Sequence, residues 1–340
     1  MLRRTLFLSK GKLLLVLICI CITLIVILAP SVKHYPMKVL APVWPHNQSR
    51  NAESYSKSSF ILKPDVGCES KLITIFVTSS PKNLEKRNSI RNSWAKEPAP
   101  DVQIIFLLGR YPGNDSFQSN ITSESEEYND ILQGDFYDSY VLLSVKSLLM
   151  LQWFLEYCRK SSFLMKTDDD VYINTRNLLD LAKKRPDKDL MVGSLICNAI
   201  PIHDPYNKYY APRFMFNARK YPPYLSGTGY LLSNSVAQKI HNASFKNPIF
   251  HLEDVYLTGI LASEESLKRE DHLGFSYVKR SLSCPCSYNS SISSHELTPK
   301  EMIQIHNKLI HLDKKCPKLK KKLLRPYGQP VCSKKERKVH

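Results

Sequence analysis

Three adjacent aspartates, Asp168, Asp169 and Asp170, are the residues whose types and spacing point most directly to chemistry. Like charges packed this closely resist ionisation unless something cationic neutralises them. In an extended turn, Asp168 and Asp170 point to one side and Asp169 to the other. Two carboxylates on one face suit Mg²⁺ or Mn²⁺, with diphosphate oxygens completing an octahedral shell. A solvated acidic turn is the alternative. Against it stands the apolar stretch directly before the triplet, residues 163–167 (FLMKT). A calcium loop fits poorly, because the following glycine and distant glutamate are missing.

Three further segments carry candidate groups. Glu253 and Asp254 precede Val255 and Tyr256 at an expected helix start. A carboxylate in a cleft can take a proton from a sugar hydroxyl as general base, and acids at a helix start also suit the dipole. Residues 221–230 (YPPYLSGTGY) combine two stiffening prolines with Gly227 and Gly229, which let backbone approach a ligand. Their aromatics could stack on sugar faces; a plain turn between strands is the other reading. His295 stands just before Thr298-Pro299-Lys300-Glu301, a capping box with proline at the first helical position. A histidine pinned beside a rigid helix start suits a metal ligand, although a lone histidine is usually only surface. A zinc site from Cys284, Cys286 and His295 lacks the paired spacing of such sites.

These groups need a frame. Residues 72–78 (LITIFVT) and 102–108 (VQIIFLL) read as buried strands, as do 163–165 and 191–196. Val141, Val145, Leu148, Leu151 and Leu155 recur at helical spacing, and Leu178, Leu179 and Ala182 predict a helix ending before Pro186. Met302, Ile305 and Leu309 give an apolar face to a helix opened by the capping box. Alternation of strand and helix predicts a largely parallel α/β sheet with helices on both faces. Ligands bind beyond the carboxyl ends of strands in such sheets, where the triplet sits.

The 340 residues leave room for one large domain plus accessories, and 43% apolar content supports a substantial core. The formal charge of +17 suggests a nucleic-acid binder until its distribution is examined. Residues 1–12 carry four positive charges and 314–340 a net +10, which leaves +3 for the body. A nucleic-acid surface would spread across the folded domain, so no nucleic-acid partner is expected. Residues 13–29 (LLLVLICICITLIVILA) hold no charge and span about 25 Å as a helix. Preceding positive charges keep the N-terminus cytoplasmic and the rest lumenal. A cleaved signal peptide is the rival to this single-span anchor, but no convincing small-residue cleavage site follows.

The expected organisation is therefore a cytoplasmic tail (1–12), a transmembrane anchor (13–29), a Pro- and Ser-rich stem (30–67), a lumenal domain (68–313) and a basic tail (314–340). Five acceptor sequons, at Asn47, Asn114, Asn120, Asn242 and Asn289, fit a lumenal location. Seven cysteines follow the anchor, and an oxidising lumen should pair most of them. Seven is odd, so one thiol stays free or bonds another chain, which leaves a homodimer open.

Seven stretches in the right order resemble the β-1,3-glycosyltransferase family of β-1,3-galactosyltransferases and β-1,3-N-acetylglucosaminyltransferases. They are residues 87–94 (RNSIRNSW), 106–109 (FLLG), 128–136 around YNDI and DF, 166–171 (KTDDDV), 221–230, 253–256 (EDVY), and His295 with 299–302 (PKEM). The resemblance implies a Golgi type II membrane enzyme of the Rossmann-like GT-A fold. It would use Mn²⁺ and a UDP-sugar donor, and act on a glycan acceptor carried by glycoprotein or glycolipid. By position, Asp168 should contact the donor's ribose, with Asp169 beside it, and Asp170 and His295 should bind the metal. Asp254 falls on the inverting base, and Arg87 and Arg91 fall near the nucleotide. Gly227 and Gly229 sit in a segment that looks more like the galactosyltransferase version, whereas the DDD triplet leans the other way. UDP-N-acetylglucosamine or UDP-N-acetylgalactosamine are the rival donors, and a catalytically silent, lectin-like protein is the rival outside enzymes. Leu142 departs from the family, which usually has asparagine there.

Overall fold

The computed structural model describes residues 40–312 except 46–47, 57–59, 66–67, 112, 114 and 186–187, together with Cys316 and Cys332. The expected tail 1–12, the anchor 13–29 and most of 314–340 lie outside the described residues. Among the described residues, no helix is long and apolar enough to cross a membrane.

Among the described residues there are ten strands: β1 Phe60–Leu62, β2 Ile73–Thr78, β3 Val102–Arg110, β4 Ile131–Tyr137, β5 Phe163–Asp168, β6 Tyr172–Ile173, β7 Met191–Ile196, β8 Tyr224–Ser233, β9 Glu270–Asp271 and β10 Ser293–Ser294. Eight form one sheet in the order β1-β4-β3-β2-β5-β8-β7-β9, and β6 pairs with β10 apart from it. β4, β3, β2 and β5 run parallel. β8 is antiparallel to both β5 and β7, and β1 is antiparallel to β4. The expected largely parallel sheet therefore holds for the centre and fails at β8. The physical reason is the connection: no helix crosses over between β7 and β8, and a parallel return would need one. The mixed α/β arrangement is consistent with a GT-A domain.

Both faces of the central strands are covered, which explains their unbroken apolar runs. On β2, Ile73, Ile75 and Val77 join a core with Ile90, Leu178 and Ile305. Those residues come from the helices Leu84–Arg91, Thr175–Lys183 and Pro299–Leu312. Phe76 points the opposite way, into a core with Val145, Leu149, Trp153 and Val236. These belong to the helices Leu143–Tyr157 and Asn234–Ser244. Thr298 and Glu301 form the expected capping box, with Thr298 N–H donating to Glu301 Oε2 at 3.0 Å and Glu301 N–H to Thr298 Oγ1 at 3.3 Å.

The folded unit starts at Ala41, upstream of Cys68. Trp44 and Ala52 are buried in the Phe76 core, and β1 adds an edge strand to the sheet. Much of the segment expected to be a stem thus packs on the domain. Among the described residues three disulfides form: Cys68–Cys158, Cys197–Cys332 and Cys286–Cys316. Cys284 is the free, exposed remainder. The zinc alternative falls, because the Cys286 sulfur is already bonded to Cys316. Two of the sequon asparagines, Asn120 and Asn242, are exposed on helix surfaces.

Cys68–Cys158 closes a separation of 90 residues, and the double variant Cys68→Ala/Cys158→Ala should lose about 2–5 kcal/mol of stability. Thermal denaturation checks it; an unchanged melting temperature would show that the cross-link constrains little.

Candidate active site

β2 and β5 end side by side, with Thr78 in register with Asp168. Asp168 Oδ1 accepts from Thr78 Oγ1 at 2.7 Å and from Lys166 Nζ at 2.6 Å. The chain then turns, and successive carboxylates diverge as the sequence implied. Asp169 points away and is fully engaged: Ser79 Oγ (2.8 Å) and Asn83 Nδ2 (2.7 Å) donate to one oxygen, and Lys86 Nζ (2.8 Å) to the other. It anchors the approach to the Leu84–Arg91 helix.

Asp170 returns to the Asp168 side. The β6–β10 pair and the Leu297 N–H bond to Asp170 O (3.0 Å) bring residues 292–297 across the turn. His295 Nε2 consequently lies 3.3 Å from Asp170 Oδ1. Its Nδ1–H donates to Tyr277 O at 3.1 Å, the outer hydrogen bond that leaves Nε2 to face a metal. One ligand atom each from Asp168, Asp170 and His295 lie within 4.8 Å of one another. Asp170 Oδ1 is buried with no aligned hydrogen-bond donor, as a carboxylate oxygen reserved for a cation would be. Burial pushes the Asp170 pKa up, but His295 and Lys86 outweigh it and hold the group below its ordinary value. Burial likewise pulls His295 down, and the Asp170 carboxylate reverses this. Two hard oxygens and one imidazole fit a divalent cation of the Mn²⁺ kind.

Asp254 arrives from the other side. It caps the π-helix Val255–Leu261, with Val255 N–H donating to Oδ1 (2.8 Å) and Gly227 N–H donating to Oδ2 (3.1 Å). Burial, then the neighbouring Glu253 charge, push its pKa up to about 6. Arg269 holds the far end of this helix, donating to Thr258 O (2.8 Å) and Gly259 O (2.7 Å), while Thr258 Oγ1 donates back to Asp254 O (2.7 Å). Gly227 is needed for close approach: a Cβ there would stand 3.3 Å from Asp254 Cβ and 3.4 Å from Glu253 Oε2. What comes close at Gly227 is the Asp254 side chain itself. At Gly229 an added Cβ would meet Met165 Cε at 3.3 Å, a contact within the sheet.

Sequence reasoning left Lys166 without a role of its own. It is buried at 2% exposure, and its Nζ reaches Asp168 Oδ1 (2.6 Å), Gly227 O (2.6 Å) and Glu253 Oε2 (3.5 Å). Burial works to lower its pKa, but Asp168 and Glu253 raise it above the ordinary lysine value. The available signal was a lysine inside a strand buried on both faces, which must be paired. Glu253 is equally committed, because Tyr230 OH donates to its Oε1.

The arginines expected beside the nucleotide are both held in ion pairs. Arg87 is fully buried and pairs with Glu124 through Nε (2.7 Å) and Nη2 (2.6 Å), while Nη1 donates to Ser80 O (2.6 Å). Arg91 pairs with Glu124 (2.8 Å) and Asp130 (2.8 Å) and lies 4.0 Å from the Tyr128 ring centre. Both guanidiniums are consumed in joining the Leu84–Arg91 helix to its neighbours. Leu142 is buried in the core and offers no polar group.

A family model described as galactosyltransferase matches residues 85–272, a stretch that includes the aspartate turn and Asp254. The chain belongs to the galactosyltransferase family. Among its relatives, β-1,3-galactosyltransferase 5 of Mus musculus is 31% identical over 73% of this chain and 82% of that protein. β-1,3-Galactosyltransferase 1 of Homo sapiens is 32% identical over 73% and 77%. The UDP-GlcNAc:betaGal β-1,3-N-acetylglucosaminyltransferase 7 of Rattus norvegicus is 34% identical over 72% and 65%. His295 lies beyond the residues that the galactosyltransferase model matches, and the fold sets it by the aspartates.

Removing the buried cation of this galactosyltransferase-family site should be costly. Lys166→Met leaves Glu253 and Asp168 without their shared partner and should destabilise the protein by about 3 kcal/mol. Adding Glu253→Gln should recover part of the loss. Urea denaturation of both variants checks this; full stability of Lys166→Met would show that the carboxylates find another partner.

Proposed function

We propose that this chain is a Golgi membrane enzyme that transfers galactose from UDP-galactose, in β-1,3 linkage and with inversion, to a glycan acceptor on glycoprotein or glycolipid. The observation that carries the reading is the Asp168–Asp170–His295 cluster joined through Lys166 to the Glu253–Asp254 pair. One group of residues suits a diphosphate with its cation, and the other holds a base with a raised pKa. A lectin-like protein would need neither, and nothing in the cluster is lost. The single-span, type II topology is part of the same proposal, supported by the charges before residues 13–29.

In this mechanism, Asp254 accepts the acceptor's hydroxyl proton as that oxygen attacks C1 of the donor sugar from the face opposite UDP. Gly227 and Val255 N–H groups hold the carboxylate in one orientation, so little reorganisation is needed as it is protonated. Asp170, His295 and Asp168 would hold Mn²⁺, whose chemistry when bound is Lewis-acid neutralisation of the departing diphosphate. Lys166 holds Asp168 in place through its 2.6 Å hydrogen bond. UDP-N-acetylglucosamine is a second donor reading, favoured by the 34% identity to the rat N-acetylglucosaminyltransferase. The betaGal in that relative's name makes a β-galactoside the first acceptor to test.

The deciding assay compares UDP-galactose, UDP-N-acetylglucosamine and UDP-N-acetylgalactosamine, each with Mn²⁺ or EDTA. Transfer from UDP-galactose alone, abolished by EDTA and by Asp170→Asn, is the expected result. Transfer from another donor would reassign the sugar, and no transfer from any would remove the enzyme reading.

Asp254 must be ionised to act, and its folded pKa of about 6 lies above the ordinary carboxylate range. Activity should therefore be full above about pH 7 and fall roughly tenfold per unit below pH 6. Asp254→Asn should lower kcat by roughly 10²–10⁴-fold and leave the residual rate without this acidic limb. A normal rate in that variant would place the base elsewhere.

A further inference from the structure

Between β7 and β8 runs a long connection, residues 197–223, that the site as described does not use. Five of the twelve exposed large apolar side chains among the described residues lie in it: Ile200, Ile202, Tyr206, Tyr209 and Phe214. Such concentration on one segment marks a surface that meets something. The segment is also rigidly built. His203 Nδ1–H donates to Ala211 O (2.7 Å), Ala211 N–H to Ile202 O (2.7 Å) and Tyr221 N–H to Ala199 O (2.9 Å). Cys197 is cross-linked to Cys332 at its start. His251 Nε2–H donates to Tyr210 O at 2.8 Å, which ties the middle of the segment to the chain three residues before Asp254.

Tyr209, 51% exposed, is set by that tie. Across from it lies the half-buried Tyr140, and one ammonium, Lys208 Nζ, stands 5.4 Å from the Tyr209 ring centre and 5.2 Å from that of Tyr140. The two rings therefore flank a common space. The His251 tie joins this part of the segment to the chain that carries Asp254, and after burial Asp254 is the first charge raising the Tyr140 pKa, ahead of Tyr209 and Asp168. Tyr224, which Tyr209 also influences, is raised first by burial and then by the same Asp254.

We propose that Tyr209 and Tyr140 form the wall of the acceptor subsite and receive the C–H face of the pyranose whose hydroxyl is presented to Asp254. A pyranose sets its hydroxyls around its rim and its C–H bonds on its faces, and the electron-rich face of a phenol ring attracts such polarised C–H groups. Lys208, lying over both rings, is placed to donate to the rim oxygens of the same sugar. A flat, pre-formed aromatic wall orients the hydroxyl at little entropic cost, which a base held in one orientation requires. This rests on the reading of Asp254 as base, and the test separates the two.

The test uses the purified full-length chain in detergent, with methyl β-D-galactopyranoside as the acceptor probe. Saturation-transfer NMR reads binding of the probe without any turnover, and initial rates give KM for probe and for UDP-galactose separately. Tyr209→Ala should raise the probe KM by roughly fivefold to tenfold, the contribution of one aromatic contact, with the UDP-galactose KM within twofold of wild type. Tyr209→Phe, which keeps the ring, should restore the probe KM. Tyr157→Ala removes an exposed tyrosine at the far end of the Leu143–Tyr157 helix and should leave both values unchanged. An unchanged probe KM in Tyr209→Ala, a raised UDP-galactose KM instead, or no saturation transfer to the probe in the wild type would each overturn the subsite. Probe binding that depends on Tyr209 in a protein that turns over no UDP-sugar would uphold the wall and sink the enzyme reading.

Discussion

The site depends on one buried cation. Asp168, Glu253 and Asp254 converge on a small space, and carboxylates this close cannot all stay ionised without compensation. Lys166 provides it, at 2.6 Å from Asp168 Oδ1 and 3.5 Å from Glu253 Oε2, while also holding Gly227 O. Its position is dictated by the sheet: on β5 it lies opposite Tyr230 of β8, two residues before the aspartate turn. The antiparallel insertion of β8 is thus what brings the Glu253–Asp254 pair against the aspartate turn. A parallel neighbour would have needed a crossover helix in place of the 197–223 connection.

The second constraint is alternation along the turn. Asp168 and Asp170 share a side because successive side chains on extended backbone diverge, and Asp169 uses the opposite side to fasten the Ser79–Lys86 segment. One triplet therefore faces two ways, toward His295 on one side and into the Ser79–Lys86 anchorage on the other. His295 completes the first only because β10 pairs with β6 and the capped helix begins three residues later. The left-handed backbone at Glu296, φ 62°, turns the chain sharply between His295 and that helix.

What the sequence made legible follows from local physics. Strands β2, β3, β5 and β7 were readable because both their faces are buried, and the Thr298–Glu301 box because its spacing is itself the hydrogen-bond pattern. The divergence within the triplet was readable for the same reason. β8 was not, since two glycines and a serine interrupt its apolar pattern and its partners are distant in sequence. The upstream packing of Trp44, Ala52 and β1 was hidden by a composition rich in proline and serine. The ion pairs of Arg87 and Arg91 were not readable because a motif gives residue types without their partners. Glu124 and Asp130, which neutralise them, lie more than thirty residues away. The disulfide pairing was likewise beyond reach, as every bridge joins segments at least 30 residues apart.

The chemistry of Asp254 is a balance among opposing effects. Two backbone N–H groups favour its charged form, as does Lys166, and alone they would make it an ordinary helix cap with a low pKa. Burial and the Glu253 charge act the other way and prevail, leaving the group at about 6. The same side chain can then be both cap and base: the N–H groups fix its orientation, and the low-polarity surroundings raise its proton affinity toward the range where a base is most effective. Glu253 is essential to that balance and unsuited to replace it. Its two oxygens face Tyr230 and Lys166, so it adds negative charge to the site while having no free position from which to take a proton.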